Sequence, residues 1–188
     1  MYFSTFPSIP YDSTGTGQTK DVKNLLRRVA IRQKVKTNTL FYDTYDVKQG
    51  ETPESIADKL YDDSELHWVI LLVNDVTDRY HQWPMSAAQF EQFINEKYLD
   101  SDGNPNPSGI HHYEIAQSSG DTTKKIEVYA NSALYTGDTD FYATATPITN
   151  LEYEEDRQDQ LRQIRLLDPK FVPQFVEEFE NLMKETVI

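Results

Sequence analysis

Tyr45-Asp46-Val47-Lys48-Gln49-Gly50-Glu51-Thr52-Pro53-Glu54-Ser55-Ile56-Ala57 is the stretch on which the fold turns. Leu40 to Lys48 is rich in aromatic and β-branched side chains and predicts a strand, which Gly50 ends. Thr52 can cap a helix, because its side-chain oxygen takes a first-turn N–H that has no partner inside the helix. Pro53 then occupies the first helical position, where its missing N–H costs nothing, and Glu54 favours the positive helix start. Ile56, Leu60 and Tyr61 give this short helix an apolar stripe.

Beyond Asp62-Asp63-Ser64 a second helix is predicted, running to about Val73. Leu66, Val69, Ile70 and Val73 keep helical spacing, whereas Trp68, Leu71 and Leu72 fall off that stripe. A helix apolar nearly all round is covered on more than one side. Asn74-Asp75 stops it. The centre of the chain is therefore a βαα unit, and the fold class is α+β.

Toward the N-terminus, residues 1–20 are rich in Ser, Thr, Gly and Pro, and predict an extended arm rather than a packed element. From Arg27 to Lys36 the pattern alternates, with Val29, Ile31 and Val35 on one side and Arg28, Arg32, Lys34 and Lys36 on the other. That is a strand with a basic face; a helix from Val22 to Arg32 competes for the first half. Toward the C-terminus, Ser86 and Gln89 form a capping-box pattern that opens a helix to about Tyr98, with Phe90, Phe93 and Ile94 inward. Asp100 to Gly109 is rich in turn formers. Tyr113–Ile115 and Ile126–Tyr129 suggest a hairpin, Asn150 to about Gln163 a charged helix, and Ile164 to Leu167 a short apolar piece. The final helix runs to about Glu185 and carries the stripe Val172, Phe175, Val176, Phe179, Leu182 and Met183, with Pro173 tolerated in its first turn. Four segments result: a basic arm (1–40), the central unit with the following helix (41–99), a hairpin insertion (100–148) and a helical C-terminal segment (149–188).

Twelve Tyr and nine Phe among 188 residues supply rings with which a polar chain, of mean hydropathy −0.66, can still bury surface. The absence of Cys removes disulfides, thiolate metal sites and a cysteine nucleophile, and fits synthesis in a reducing cytoplasm. No apolar run is long enough to cross a membrane, and the first ten residues have no signal-peptide pattern. The net charge of −13 is unevenly spread. Lys20 to Lys36 holds seven basic residues against Asp21 alone, a net +6, while residues 37–188 carry −18. A basic arm on an acidic body suits docking to another copy or to an acidic neighbour, and the body argues against nucleic acid.

The chemical motifs are weaker than their structural explanations. Asp100-Ser101-Asp102-Gly103-Asn104-Pro105-Asn106 has a proline where a calcium loop needs glycine, and His111 stands where the closing Glu belongs. His112 and Glu114 share a strand face without a third ligand at metal-site spacing. No nucleophile elbow or phosphate loop occurs, so neither metal, cofactor nor catalytic residue is expected. Trp68, Tyr80, His81 and Trp83 can be stacking platforms, partner anchors or core.

The opening stretch, together with Val73-Asn74, resembles a LysM module: aromatic strand, Gly-acid-Thr turn, Ile-Ala helix, and an Asn after the second helix. Ser64-Glu65-Leu66-His67-Trp68-Val69-Ile70-Leu71-Leu72-Val73-Asn74-Asp75 resembles the hydrophobic helix of the LysM-containing baseplate wedge subunit of T-even-type contractile-tailed phages. The Leu25-Leu26-Arg27-Arg28-Val29 arm, the Tyr/Phe strand and Arg162-Gln163-Ile164-Arg165-Leu166-Leu167 before the last helix extend that likeness over most of the chain, least at 100–146. One departure stands out. The usual second LysM strand is absent after Asn74, where Asp78-Arg79-Tyr80-His81-Gln82-Trp83-Pro84 follows.

The resemblance implies a non-catalytic virion subunit, present in several copies of a sixfold tail baseplate. It would join adjacent wedges and attach them to the central hub, with other wedge subunits, the neighbouring wedge and a sheath-initiator-like subunit as partners, and no nucleic acid or membrane. Partner contacts are expected at Arg27, Arg28, Arg32, Lys34, Lys36, Trp68, Leu72, Trp83, Phe175 and Phe179. The LysM-like turn is Gly50, Glu51, Thr52 and Pro53, with Asn74. The rivals are a LysM-type peptidoglycan- or chitin-binding module, which would use that turn as a sugar groove, and a cell-wall hydrolase.

Overall fold

A computed structural model describes residues 2–27, 29–31, 39–116, 125–129 and 145–184. Its contacts divide the chain into two compact units, residues 1–83 with 163–188 and residues 84–162. The second is thus an insertion in the first, a division that follows packing rather than the compositional breaks near 40, 100 and 149. Helices and small antiparallel sheets make an α+β fold.

The first unit begins with a short 3-10 turn (Tyr2–Thr5) and the antiparallel pair β1 (Ser8–Tyr11) and β2 (Lys20–Lys23). Residues 24–27 and 29–31 lie outside helix and strand, so the described part of the predicted Arg27–Lys36 strand, and of the competing helix, is not formed. Residues 32–38 lie outside the described residues. The expectation of an unpacked arm over 1–20 is corrected at Phe6, which is 5% exposed and packs in the core.

Strand β3 (Tyr42–Asp46) leads into helix α1 (Pro53–Tyr61), capped as the sequence dictates. Thr52 Oγ1 accepts from Ser55 N–H at 3.2 Å, and Ser55 Oγ accepts from Thr52 N–H at 2.9 Å. A 3-10 turn at Ser64–Leu66, capped by Asp63, feeds helix α2 (His67–Val73). The strand that pairs with β3 comes from far along the chain: β7 (Gln163–Leu167) runs antiparallel to it, from Tyr42 opposite Leu167 to Asp46 opposite Gln163. The short apolar piece at Ile164–Leu167 is therefore this sheet's second strand, with Ile164 and Leu166 buried and Gln163 and Arg165 exposed.

Helix α2 is apolar all round because it lies between two clusters of its own chain. Trp68, Val69 and Val73 pack with Phe6, Leu167, Val172, Phe179 and Met183. Ile70 joins Val47, Ile56, Ala57, Trp83, Ile164 and Leu166. Helix α3 (Arg79–Gln82), in the segment that departs from the LysM pattern, is capped by Asp78. The terminal helix α6 (Val172–Lys184) buries Val172, Phe179 and Met183, while Leu182 on the same stripe stays 37% exposed.

The second unit starts with α4 (Ala87–Lys97), opened by the predicted Ser86/Gln89 capping box. The predicted hairpin is present as β4 (Ile110–Ala116) and β5 (Lys125–Tyr129), with Tyr113 opposite Val128 and Ile115 opposite Ile126. A third strand, β6 (Thr146–Thr149), covers the other edge of β4. Helix α5 (Asn150–Arg162) has no apolar stripe; instead it buries Asn150, Glu154 and Gln158, four residues apart. Each finds a partner, as buried polar groups must. Asn150 Nδ2 donates to Asn106 O (2.9 Å), Gln158 Oε1 accepts from Met85 N–H (2.9 Å), and Glu154 meets Lys97 Nζ (2.5 Å) and the Tyr98 hydroxyl (2.8 Å). Gly109 permits the first contact, since a Cβ there would come within 2.6 Å of the Asn106 side chain.

Candidate protein interface

The Gly50–Pro53 turn is built around one carboxylate. Gly50 has φ +79°, a conformation that suits glycine, and so brings Glu51 back toward the strand it leaves. The Tyr45 hydroxyl donates to both Glu51 carboxylate oxygens (2.9 and 3.0 Å), Lys48 N–H donates to one (2.9 Å), and Lys59 Nζ stands 3.6 Å away. Burial pushes the Glu51 carboxyl up, but these hydrogen bonds and the Lys59 charge outweigh it and hold the group below the usual carboxylate range. Its backbone carbonyl accepts the Trp83 indole N–H at 2.9 Å. Thr52 caps the helix and Pro53 is fully buried.

Asn74 works the same way. Its Nδ2 donates to Ile70 O (2.9 Å) and Arg165 O (2.8 Å), and its Oδ1 accepts from Arg165 N–H (2.8 Å). The turn and Asn74, set apart in sequence, thus hold the two helices, Trp83 and the closing strand in one frame.

Of the aromatic residues expected at partner contacts, the structure brings Trp68, Phe175 and Phe179 together. Trp68 stacks obliquely on Phe179 (ring centroids 4.5 Å) and lies 6.2 Å from Phe175. Trp68 and Phe179 are buried in their own chain, as is Trp83, so these three rings form core; Leu72 and Phe175 are half-buried. Tyr80 is 88% exposed.

In the basic stretch, Lys23 Nζ donates to Phe6 O (2.7 Å) and Ser4 O (3.1 Å). The Arg27 guanidinium donates to Leu182 O, on helix α6, at 2.7 Å. Arg28, Arg32, Lys34 and Lys36 lie outside the described residues. Leu25 (58%) and Leu26 (91%), between the cations, are exposed to a degree the alternating pattern did not signal.

The acidic loop and histidines also have internal roles. The Asp100 carboxylate accepts from Asp102 N–H (2.9 Å) and Asn104 N–H (2.8 Å) as a turn. His111 stacks on Tyr153 at 3.9 Å and its Nδ1 meets His112 Nδ1 at 2.9 Å, while Glu114 pairs with Lys125. Burial first, then the neighbouring His112, pushes the His111 imidazole down. Among the described residues no three His, Asp or Glu gather as a metal set, and no helix is long and apolar enough to span a membrane.

Its likeness to known proteins makes the chain a structural protein of the bacteriophage tail baseplate. It belongs to the family described as base plate wedge protein 53, which it matches over residues 1–182. It is 27% identical over 157 residues to baseplate wedge protein gp53 of Enterobacteria phage T4, a match that covers 76% of this chain and 74% of that protein.

Proposed function

We propose that the chain joins adjacent wedges of the sixfold baseplate and attaches them to the central hub through protein contacts, without catalysis and without a cofactor. Other wedge subunits, the neighbouring wedge and a sheath-initiator-like subunit are its partners, and nucleic acid and membrane are not. The β3–α1–α2 run closed by β7 serves as a LysM-like unit turned to a scaffold role. Arg27, Arg28, Arg32, Lys34 and Lys36 supply the cationic contact, Leu72 and Phe175 add apolar contact, and Trp68, Trp83 and Phe179 act by holding the frame rigid.

What carries this reading is the use to which the turn is put: the Glu51 carboxylate, the Thr52 hydroxyl and the Asn74 amide are all spent inside the chain. A sugar groove would need such groups turned outward. The purified chain is therefore expected to bind a wedge complex assembled without it, and to ignore chitin and peptidoglycan. Reversing Arg28, Arg32 and Lys34 to Glu is expected to abolish wedge binding while the fold survives. Retention on chitin that is lost when residues 50–53 are altered would overturn the scaffold role, and normal binding by the charge-reversed chain would overturn the cationic contact.

A further inference from the structure

We propose that hairpin β1–β2 and the turn after it form a docking element for another wedge subunit, one that offers an apolar groove edged by carboxylates. The inference rests on the wedge-joining role and names the surface and the chemistry of the partner.

The hairpin register places Ile9 opposite Val22 and Tyr11 opposite Lys20. Opposed residues, and residues two apart along a strand, share a face. Ile9, Tyr11 and Val22 therefore line one face with Lys20, and Ser8, Pro10, Asp21 and Lys23 line the other. All three apolar side chains are exposed, and Leu25 and Leu26 follow directly. One exposed leucine needs no explanation, but five exposed apolar side chains in so short a segment do.

This segment is fastened on several sides. Asp12 gathers the N–H groups of Thr14 (3.0 Å), Gly15 (2.8 Å) and Gly17 (2.7 Å) and closes the hairpin loop. Asn24 N–H donates to Pro7 O (2.8 Å), and Leu26 N–H to Asn24 Oδ1 (3.2 Å). Lys23 and Arg27, on either side of the leucines, are tied to Phe6 O and Leu182 O. Apolar anchors on a turn already ordered lose little entropy on docking.

Lys20 shares the apolar face, and Lys20–Arg27 carries three basic residues against Asp21, a local positive charge that specifies an acidic rim for the groove. It does not specify a polyanion: a membrane or duplex broad enough to meet the whole chain would also meet the −18 of residues 37–188.

The test uses the full chain and the double variants L25S/L26S and I9T/V22T, with a wedge complex assembled without this subunit as probe. Wild type is expected to bind, more weakly as salt rises. Each variant is expected to bind at least about tenfold more weakly with an unchanged melting midpoint. Equal binding by variants and wild type sinks this proposal and leaves the wedge-joining role standing. Failure of wild type to bind at all sinks both. Leucine-dependent binding to phosphatidylserine vesicles, to a short DNA duplex, or to a second copy would likewise overturn the assigned partner.

Discussion

Asn74 and Arg165, 91 positions apart, clasp each other through one side-chain amide: Nδ2 donates to the Arg165 carbonyl and Oδ1 accepts the Arg165 N–H, each at 2.8 Å. The clasp joins the end of helix α2 to strand β7. Asn74→Ala removes both of these hydrogen bonds and the side-chain bond to Ile70 O, and is expected to cost about 1–2 kcal/mol. Asn74→Asp sets a carboxylate against two carbonyl oxygens and is expected to cost more. Urea unfolding checks both, and an unchanged midpoint for Asn74→Ala would show that the clasp contributes nothing.

Two half-buried tyrosines give opposite expectations. The Tyr61 hydroxyl donates to Leu167 O at 3.0 Å, and burial pushes its pKa up to about 12. Tyr61→Phe leaves that carbonyl without this donor and is expected to cost about 1 kcal/mol. The Tyr42 hydroxyl is buried and has no hydrogen-bond partner among the described residues. Tyr42→Phe therefore removes a desolvated group and is expected to be neutral or stabilising by up to about 1 kcal/mol. Thermal unfolding of the pair decides; a large loss for Tyr42→Phe would contradict the packing described.

Phe179 and Phe175 separate core from surface on one helix. Phe179 is 3% exposed against Trp68, and its replacement by Ala is expected to cost about 3–5 kcal/mol. Phe175 is half-buried, so its replacement is expected to cost less in stability and to weaken wedge binding instead. Binding by Phe175→Ala indistinguishable from wild type would remove Phe175 from the interface.

Acid should weaken both units. Burial pushes the Glu154 carboxyl up, but the Lys97 and Tyr98 hydrogen bonds overcome that and lower it, as happens at Glu51. A carboxyl with a lowered folded-state pKa contributes stability that is fully present above the unfolded-state value, about 4.3. That stability fades as the pH falls through the lower folded-state value. Stability is therefore expected to drop below about pH 4.5. Glu154→Gln should flatten part of that slope while lowering stability at neutral pH. Measured pH profiles that superimpose would exclude Glu154 as a contributor.

What was legible in the sequence follows the range of the forces involved. Thr52, Pro53 and Ser86 announce helix starts because capping is settled within one turn. The all-round apolar helix implied cover on two sides, but not that Phe6 and Phe179 on one side and Ile164 on the other would supply it. Phe6 gave no signal because it is one of a few scattered aromatics among Ser, Thr and Pro, without a sustained period to mark it. The pairing of Tyr42–Asp46 with Gln163–Leu167 was out of reach, since register over such a distance is decided by the finished core. The stripe of Asn150, Glu154 and Gln158 was hidden as well, because polar residues at helical spacing ordinarily face water.

The placing of β7 has a consequence during synthesis. Helices α1 and α2 leave the ribosome long before the strand that seals their sheet, and residues 84–162 emerge in the interval. The inserted unit can fold while its host is still open, so a translational pause within 84–162 would hold the earlier half with its greasy helix bare. Newly made chains are therefore expected to be aggregation-prone in that window, before Ile164 and Leu166 arrive.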